Sequence, residues 1–345
     1  MLFLLACQPP PSTTPEVTPS DDFTARPEVD EQVLAIMEQD KVPGVAACTL
    51  KDGVIDWCQG YGWANIEEER AVDQDTPFLL ASVSKLITSE AARETLDPQG
   101  VVDVGFTIGH PIDEPDITHQ MLATHTSGIA DNWGVMGSYY SQGDSPVPLG
   151  DFLYDYLDPE GADYDDWNNF GDAPGQRWDY SNIGNALLAY AVEIETGTDF
   201  SDWCDANVFE PWAMQNTSWR LANLDESTLA MPYDGLFSTD PTGHYSFPDY
   251  PNGALRSSAY DMALFLENTA TLQHEELVPD LAEGQGWVWY RWTMEGHTVW
   301  GHNGGEAGVS TEVGLLDDGR GFVVLMNGEG SQTTLGDIER AILEI

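Results

Sequence analysis

Ser82 and Lys85 stand three residues apart in the run Leu80, Ala81, Ser82, Val83, Ser84, Lys85, Leu86, Ile87, in a chain whose only lysines are Lys41, Lys51 and Lys85. A serine hydroxyl is a poor nucleophile at neutral pH until a neighbouring base takes its proton. Residues i and i+3 of a helix share a face, so a helix that begins near Ser82 points the Lys85 amine back at the hydroxyl. The N-terminus of that helix also offers free N–H groups and positive potential to a developing oxyanion. Leu86, Ile87, Ala91, Ala92 and Leu96 give it an apolar face. Burial there lowers a lysine pKa toward the neutral range that general-base work needs. The plain structural alternative is a surface lysine behind a cap serine.

Two further clusters can supply the partners. Tyr180, Ser181 and Asn182 precede Ile183, Leu187, Tyr190, Val192 and Ile194, a helical pattern closed by Gly197, and so stand on the loop entering that helix. Tyr180 can shuttle a proton between nucleophile and leaving group there, while Asn182 can hold Lys85 and a substrate carbonyl. A buried aromatic followed by an N-cap asparagine is the structural alternative. His302, Asn303, Gly304 and Gly305 close the strand pattern His297 to Gly301, and the glycines let a substrate approach the backbone. A backbone N–H after Gly304 can complete an oxyanion hole with that of Ser82; a glycine turn with an incidental histidine is the alternative.

The elements that must position these residues lie at both ends of the chain. Val29, Val33, Ile36 and Met37 recur at helical spacing over 28–40, and a β-hairpin pattern follows at 44–62. Residues 286–294, 297–301, 309–316 and 321–327 read as strands, and Leu335, Ile338, Ile342 and Ile345 mark a last helix. The middle, about 76–285, holds helical patches and long Gly, Pro and Asp loops such as 131–177. This predicts an α+β fold: an antiparallel sheet built from both chain ends (about 29–75 and 286–345), flanked by helices, with a helical part inserted between them. Trp287, Trp289, Tyr290 and Trp292 read as alternating core and surface strand positions, with aromatic binding of sugars or peptides as the alternative.

The 345 residues carry 59 acids against 12 bases, a formal net charge of −47. Such a field repels phosphate backbones and anionic lipid, which argues against nucleic-acid binding. It suits solubility in concentrated salt, attraction of a cationic substrate, or a hydrated surface with no direct role. No stretch approaches the roughly 20 apolar residues of a membrane helix. Met1 to Cys7 reads as the end of a bacterial lipoprotein signal with Cys7 as the lipidated residue, although it lacks a basic segment. Residues 8–28, rich in Pro, Ser, Thr and acids, read as an extended tether to a globular domain at 29–345. Together they predict an exported lipoprotein of the bacterial cell envelope, anchored by lipid, against the alternative of a frayed terminus.

Cys48 and Cys58 lie on two β-like runs that flank Asp52 and Gly53; they are disulfide-bonded if the turn keeps them on one face, and buried thiols otherwise. Cys204 reads as core. No G-x-S-x-G occurs, which disfavours an α/β-hydrolase. The seven histidines form no H-E-x-x-H, and His119 with His125, or His297 with His302, lack a supporting carboxylate spacing. No metal, other cofactor or obligate protein partner is expected.

Taken together, the three clusters resemble the S-x-x-K, Y-x-N and K-T-G or H-x-G triplet of the penicillin-recognising serine hydrolases. The resemblance is to the class C β-lactamase-like family, with its penicillin-binding-protein-like, esterase and D-aminopeptidase members. The runs Pro43 to Ala46, Gly60 to Ala64, Thr124 to Gly128, Phe209 to Met214 and Asn252 to Met262 match the family's style, over about 29–345. The resemblance implies a β-lactamase/transpeptidase-like fold in which Ser82 is acylated and Lys85 and Tyr180 share general acid/base duty. It further implies that Asn182, Gly304 and Gly305 help to bind substrate, with the N–H groups of Ser82 and Gly305 as oxyanion hole and His302 lining the pocket. True class C β-lactamases carry lysine where His302 stands. A fixed cation there helps to bind a β-lactam carboxylate, and a largely neutral imidazole does so less well. The resemblance therefore implies a small-molecule ester or D-amino-acid peptide as substrate, with weak β-lactamase activity as a variant. The rival is a non-catalytic or slowly acylating envelope protein that binds peptides or peptidoglycan. The presence of Ser82, Lys85, Tyr180 and Asn182 together argues against it.

Overall fold

The structure is a computed structural model that describes residues 17, 23–112, 115–234, 240–270, 284–331 and 333–345. Cys7 and most of the tether expected at 8–28 lie outside the described residues; its last part is not a free tether, because Phe23 packs on the core, Arg26 pairs with Asp56, and Pro27 and Glu28 already belong to the first helix. The main strands are β1 (Gly44–Lys51), β2 (Val54–Asn65), β3 (Arg70–Ala71), β4 (Tyr290–Met294), β5 (His297–Glu306), β6 (Val309–Leu316) and β7 (Gly321–Met326). They form one antiparallel seven-stranded sheet in the order β4-β5-β6-β7-β1-β2-β3. The two chain ends are joined where β1 pairs with β7, Val45 opposite Met326 and Leu50 opposite Gly321.

Both faces of the sheet centre are covered, so β1 and β7 read as continuous apolar runs. Val45 and Ala47, with Phe322, Val324 and Met326, face one apolar layer; Ala46, Cys48 and Leu50, with Val323 and Leu325, face the other. The longer helices are α1 (Pro27–Asp40), α2 (Lys85–Thr95), α3 (Leu149–Leu157), α4 (Asn182–Thr196), α5 (Ala259–Thr269) and α6 (Thr334–Leu343). Helices α1 and α6 pack together on the first face, with Val29, Val33, Met37, Ile338 and Ile342 buried in that layer. Helix α5 lies against β1, β2 and β7 on the second face, where the inserted helical part also packs, with α2 against α4 at its centre.

Three local readings need correction. The strand pattern over 286–294 contracts to β4 because Val288 takes φ +68°, which breaks the alternation and buries Trp287, Val288 and Trp289 in succession. The stretch 131–177 is not all loop: Leu149, Phe152, Leu153, Tyr156 and Leu157 recur at helical spacing and bury one face of α3. Strand β5 runs on past Gly301 to Glu306, so His302 to Gly305 lie inside a strand and not in a turn after one.

Cys48 stands directly opposite Cys58 in the β1–β2 register, and the two are disulfide-bonded. The open alternative is thereby decided, because opposite residues of an antiparallel pair share a face. Cys204 is buried and free, as expected of core. Replacing Cys48 and Cys58 together by serine should lower stability by about 2–3 kcal/mol through the closed loop alone. Urea unfolding of the oxidised protein and the double variant checks this; an unmoved midpoint would mean that the bond contributes nothing.

Candidate active site

The chain reaches Ser82 from the sheet side. Phe78–Leu79 pairs with Arg256–Ser257, the Leu80 N–H donates to the Leu255 carbonyl, and Thr311 Oγ1 donates to the Leu80 carbonyl at 2.6 Å. Ala81 then takes φ +48°, a left-handed conformation that costs a side-chain-bearing residue about 1–3 kcal/mol. This turn feeds a short 3₁₀ segment, Ala81–Ser84, which leads into α2 at Lys85. Ser82 is half-buried, while Val83, Ser84 and Lys85 are buried around it.

Lys85 is fully buried, and its Nζ donates to Ser82 Oγ at 2.9 Å and to the Asn252 carbonyl at 2.5 Å. Burial pulls its pKa down to about 7, while the carboxylates of Asp131, Asp249 and Glu306 pull the other way. A large fraction of the amine is therefore neutral near pH 7 and able to accept the hydroxyl proton.

Tyr180 Oη donates to Ser82 Oγ at 2.9 Å, and its ring lies 5.0 Å from Lys85 Nζ. Burial drives the phenol pKa up, so Tyr180 is a protonated donor, and Lys85 is the group of the two that can accept a proton near pH 7. The Tyr180–Asn182 run is clamped by residues 125–131. The Ser181 N–H donates to His125 Nδ1, and the Asp179 N–H donates to the His125 carbonyl. Asp131 accepts from the N–H groups of Asn182 and Ile183 and from Asn182 Nδ2. Ser181, whose Oγ accepts from the Gly184 N–H, is the N-cap of α4, and Asn182 is its first helical residue.

On β5, the His302 ring is buried 6.4 Å from the Tyr180 ring and 4.9 Å from the Tyr290 ring, centroid to centroid. Burial and the nearby Lys85 hold its pKa down at about 3, so the imidazole is neutral. Nδ1 meets the Asn303 carbonyl, and Nε2 is buried without a partner among the described residues. A Cβ on Gly304 would fall 2.5 Å from the Leu80 carbonyl oxygen and 2.9 Å from Ser82 N. Glycine is thus required there for the strand to lie against the backbone of Leu80 and Ser82. At Gly305 an added Cβ would meet nothing within 4 Å, so the strand borders open space.

The structure brings together Ser82, Lys85, Tyr180, His302 and Gly304 as the sequence suggested. Asn182 differs: it is bound to Asp131 and not to Lys85, because the acid caps the α4 terminus and takes the amide with it. His302 is packed between aromatic rings and is not presented to solvent. Sequence reasoning missed Asp131, Asp249, Asn252 as acceptor for Lys85, and His125 as the support of Tyr180, at 4.5 Å between rings. The only local signal was that His125 and Asn252 fall in runs already singled out.

The sequence pattern described as Beta-lactamase matches residues 29–345. The chain belongs to the β-lactamase family. It is 28% identical over 214 residues to a D-aminopeptidase of Gluconobacter oxydans, an alignment covering 62% of this chain and 38% of that enzyme. Among solved structures it resembles the octameric penicillin-binding protein homologue from Pyrococcus abyssi, with TM-score 0.73 and 20% identity, over 92% of this chain and 77% of the other. It also resembles the β-lactamase/D-alanine carboxypeptidase from Pseudomonas syringae, with TM-score 0.73 and 17% identity, over 92% and 98%.

In this β-lactamase-family protein the lowered Lys85 pKa sets a sign. Below about pH 7 the amine is charged and donates to Ser82; above it the neutral amine accepts. The rate at which a fluorophosphonate labels Ser82 should therefore rise with pH through a midpoint near 7, read by mass spectrometry. A midpoint near 10 would remove Lys85 as the base. Gly304→Ala should slow the same labelling by about 100-fold or more, since either β5 or Ser82 must shift and even about 1 Å of misplacement is that costly.

Proposed function

We propose that this protein is a serine hydrolase that works through an acyl-enzyme on Ser82, acting on small carboxylic esters or D-amino-acid peptides. The observation that carries the reading is the pair of 2.9 Å contacts to Ser82 Oγ, from a buried lysine amine and from a protonated tyrosine. Neutral Lys85 takes the hydroxyl proton as Oγ attacks the carbonyl carbon. Tyr180 gives its proton to the departing oxygen or nitrogen, and the Lys85 ammonium restores the phenol. Water then attacks the acyl-serine by the same transfers in reverse. Asn182, fixed at the N-terminus of α4, and the N–H groups of Ser82 and Gly305 hold the substrate carbonyl. The similarity to a D-aminopeptidase supports the acyl-transfer class.

The neutral, buried His302 favours ester or peptide over β-lactam, because it offers no fixed cation to a lactam carboxylate. The Cys48–Cys58 bond supports export to an oxidising compartment, with Cys7 as the lipid anchor. A turnover panel of p-nitrophenyl esters, D-amino-acid p-nitroanilides and a chromogenic cephalosporin tests the assignment. The best ester or anilide should exceed the cephalosporin in kcat/KM by about tenfold or more, and Ser82→Ala should abolish all turnover. Full activity in Ser82→Ala, or preference for the cephalosporin, would overturn it.

A further inference from the structure

Glu306 ends the strand that carries His302 and Gly304. Side chains alternate along a strand, so His302, Gly304 and Glu306 share one face of β5. That face meets the site in order: His302 beside Tyr180, then Gly304 against the Ser82 amide, then Glu306. Two residues of strand span about 7 Å. Glu306 therefore stands across Ser82 from Tyr180. Because Tyr180 protonates the leaving atom in the mechanism above, the opposite side is where the acyl group extends.

The carboxylate is held ready. Tyr140 Oη donates to Oε2 at 2.8 Å, and the Ala307 N–H donates to Oε1 at 3.0 Å. Burial and the charge of Glu306 both raise the Tyr140 pKa, so its hydroxyl stays a donor. The Tyr140 ring is itself packed 5.0 Å from Phe247 and 5.9 Å from Tyr245. An ionised carboxylate has about four acceptor positions, of which these two donors take half. Glu306 is half-buried, so part of its side chain stays accessible. Its charge acts on Lys85, as do those of Asp131 and Asp249. An anionic acyl group would meet this field unfavourably, and a cationic one would be drawn into it.

We propose that Glu306 receives a free ammonium group on the acyl portion of the substrate, so that the site selects unblocked aminoacyl esters and amides over N-blocked ones. This deepens, and rests on, the acyl-serine reading. Tyr140 acts as a positioning residue that fixes the carboxylate.

The test compares D-alanine p-nitroanilide with its N-acetyl derivative, using p-nitrophenyl butyrate as an uncharged reference for the wild type. The wild-type protein should favour the free amine in kcat/KM by about tenfold, the factor that about 1.4 kcal/mol of ion pairing supplies. Glu306→Gln keeps the acceptor for Tyr140 and should bring the free-amine to N-acetyl ratio to about one; taking the ratio cancels any change in Lys85 itself. Tyr140→Phe, which loosens the carboxylate without removing it, should reduce the ratio about threefold, mainly through KM for the free amine. An equal or reversed ratio in the wild type, or an unchanged ratio in Glu306→Gln, overturns the proposal. Butyrate turnover without amine preference removes the ammonium site and leaves the serine hydrolase standing. No turnover of all three substrates removes both.

Discussion

Lys85 has no exposed surface, and its amine bonds Ser82 Oγ and a single main-chain carbonyl, that of Asn252. A drop in pKa from 10.5 to about 7 corresponds to about 5 kcal/mol against the charged form. That bias persists only if water is kept out, which requires the apolar face of α2, the packing of α2 on α4 and the segment around Asn252 to stay closed together. The core of the helical part is therefore also the medium that sets the lysine pKa. Loosening it would raise the lysine pKa toward its ordinary value.

The site is assembled from segments far apart in the chain, and its backbone strain is found on those segments. Ala81, which precedes Ser82, and His125, which packs on Tyr180, both take positive φ, at +48° and +54°. Neither has glycine's freedom, so the surroundings must hold each in place. The Leu80 contacts to Leu255 and Thr311 do this for the first, and the His125 bonds to Ser181 and Asp179 do it for the second. Both sets of contacts bind a strained residue to a separate part of the chain, so Ser82 and Tyr180 meet at 2.9 Å without either having to search for the other.

What could be read from the sequence follows from the range over which each signal acts. Ser82 and Lys85 are one helical turn apart, and α1, α6 and the terminal strands declare themselves by local periodicity, so these were legible. Gly304 and Gly305 read as a turn because glycine's usual reason is conformational freedom; here the reason is the approach of β5 to Ser82 N, which lies in another segment. The pattern of α3 was present but hidden among acids, prolines and glycines. Asp131 and Asp249 look like any other acids among 59. Asp131 is set apart by its bonds to Asn182 and Ile183, and Asp249 by burial near Asp131 and Lys85, proximities between distant parts of the chain that no local pattern encodes.

The same distinction separates the charge of the surface from the charge of the site. A net charge of −47 is largely screened beyond about 10 Å in 0.1 M salt. Asp249 is buried, with its own pKa raised to about 7, and Asp131 is likewise raised by burial. Asp249 acts on Lys85 from inside the protein and Asp131 from a half-buried position, so salt screens them less than it screens the surface. They also oppose the effect of burial: desolvation alone would carry the lysine pKa lower still and leave a weaker base, whereas fully ionised, unscreened acids would keep it charged. General-base catalysis is most effective when the pKa lies near the working pH. The two opposing influences leave the Lys85 pKa near 7, and they do so through local contacts that the bulk composition does not control.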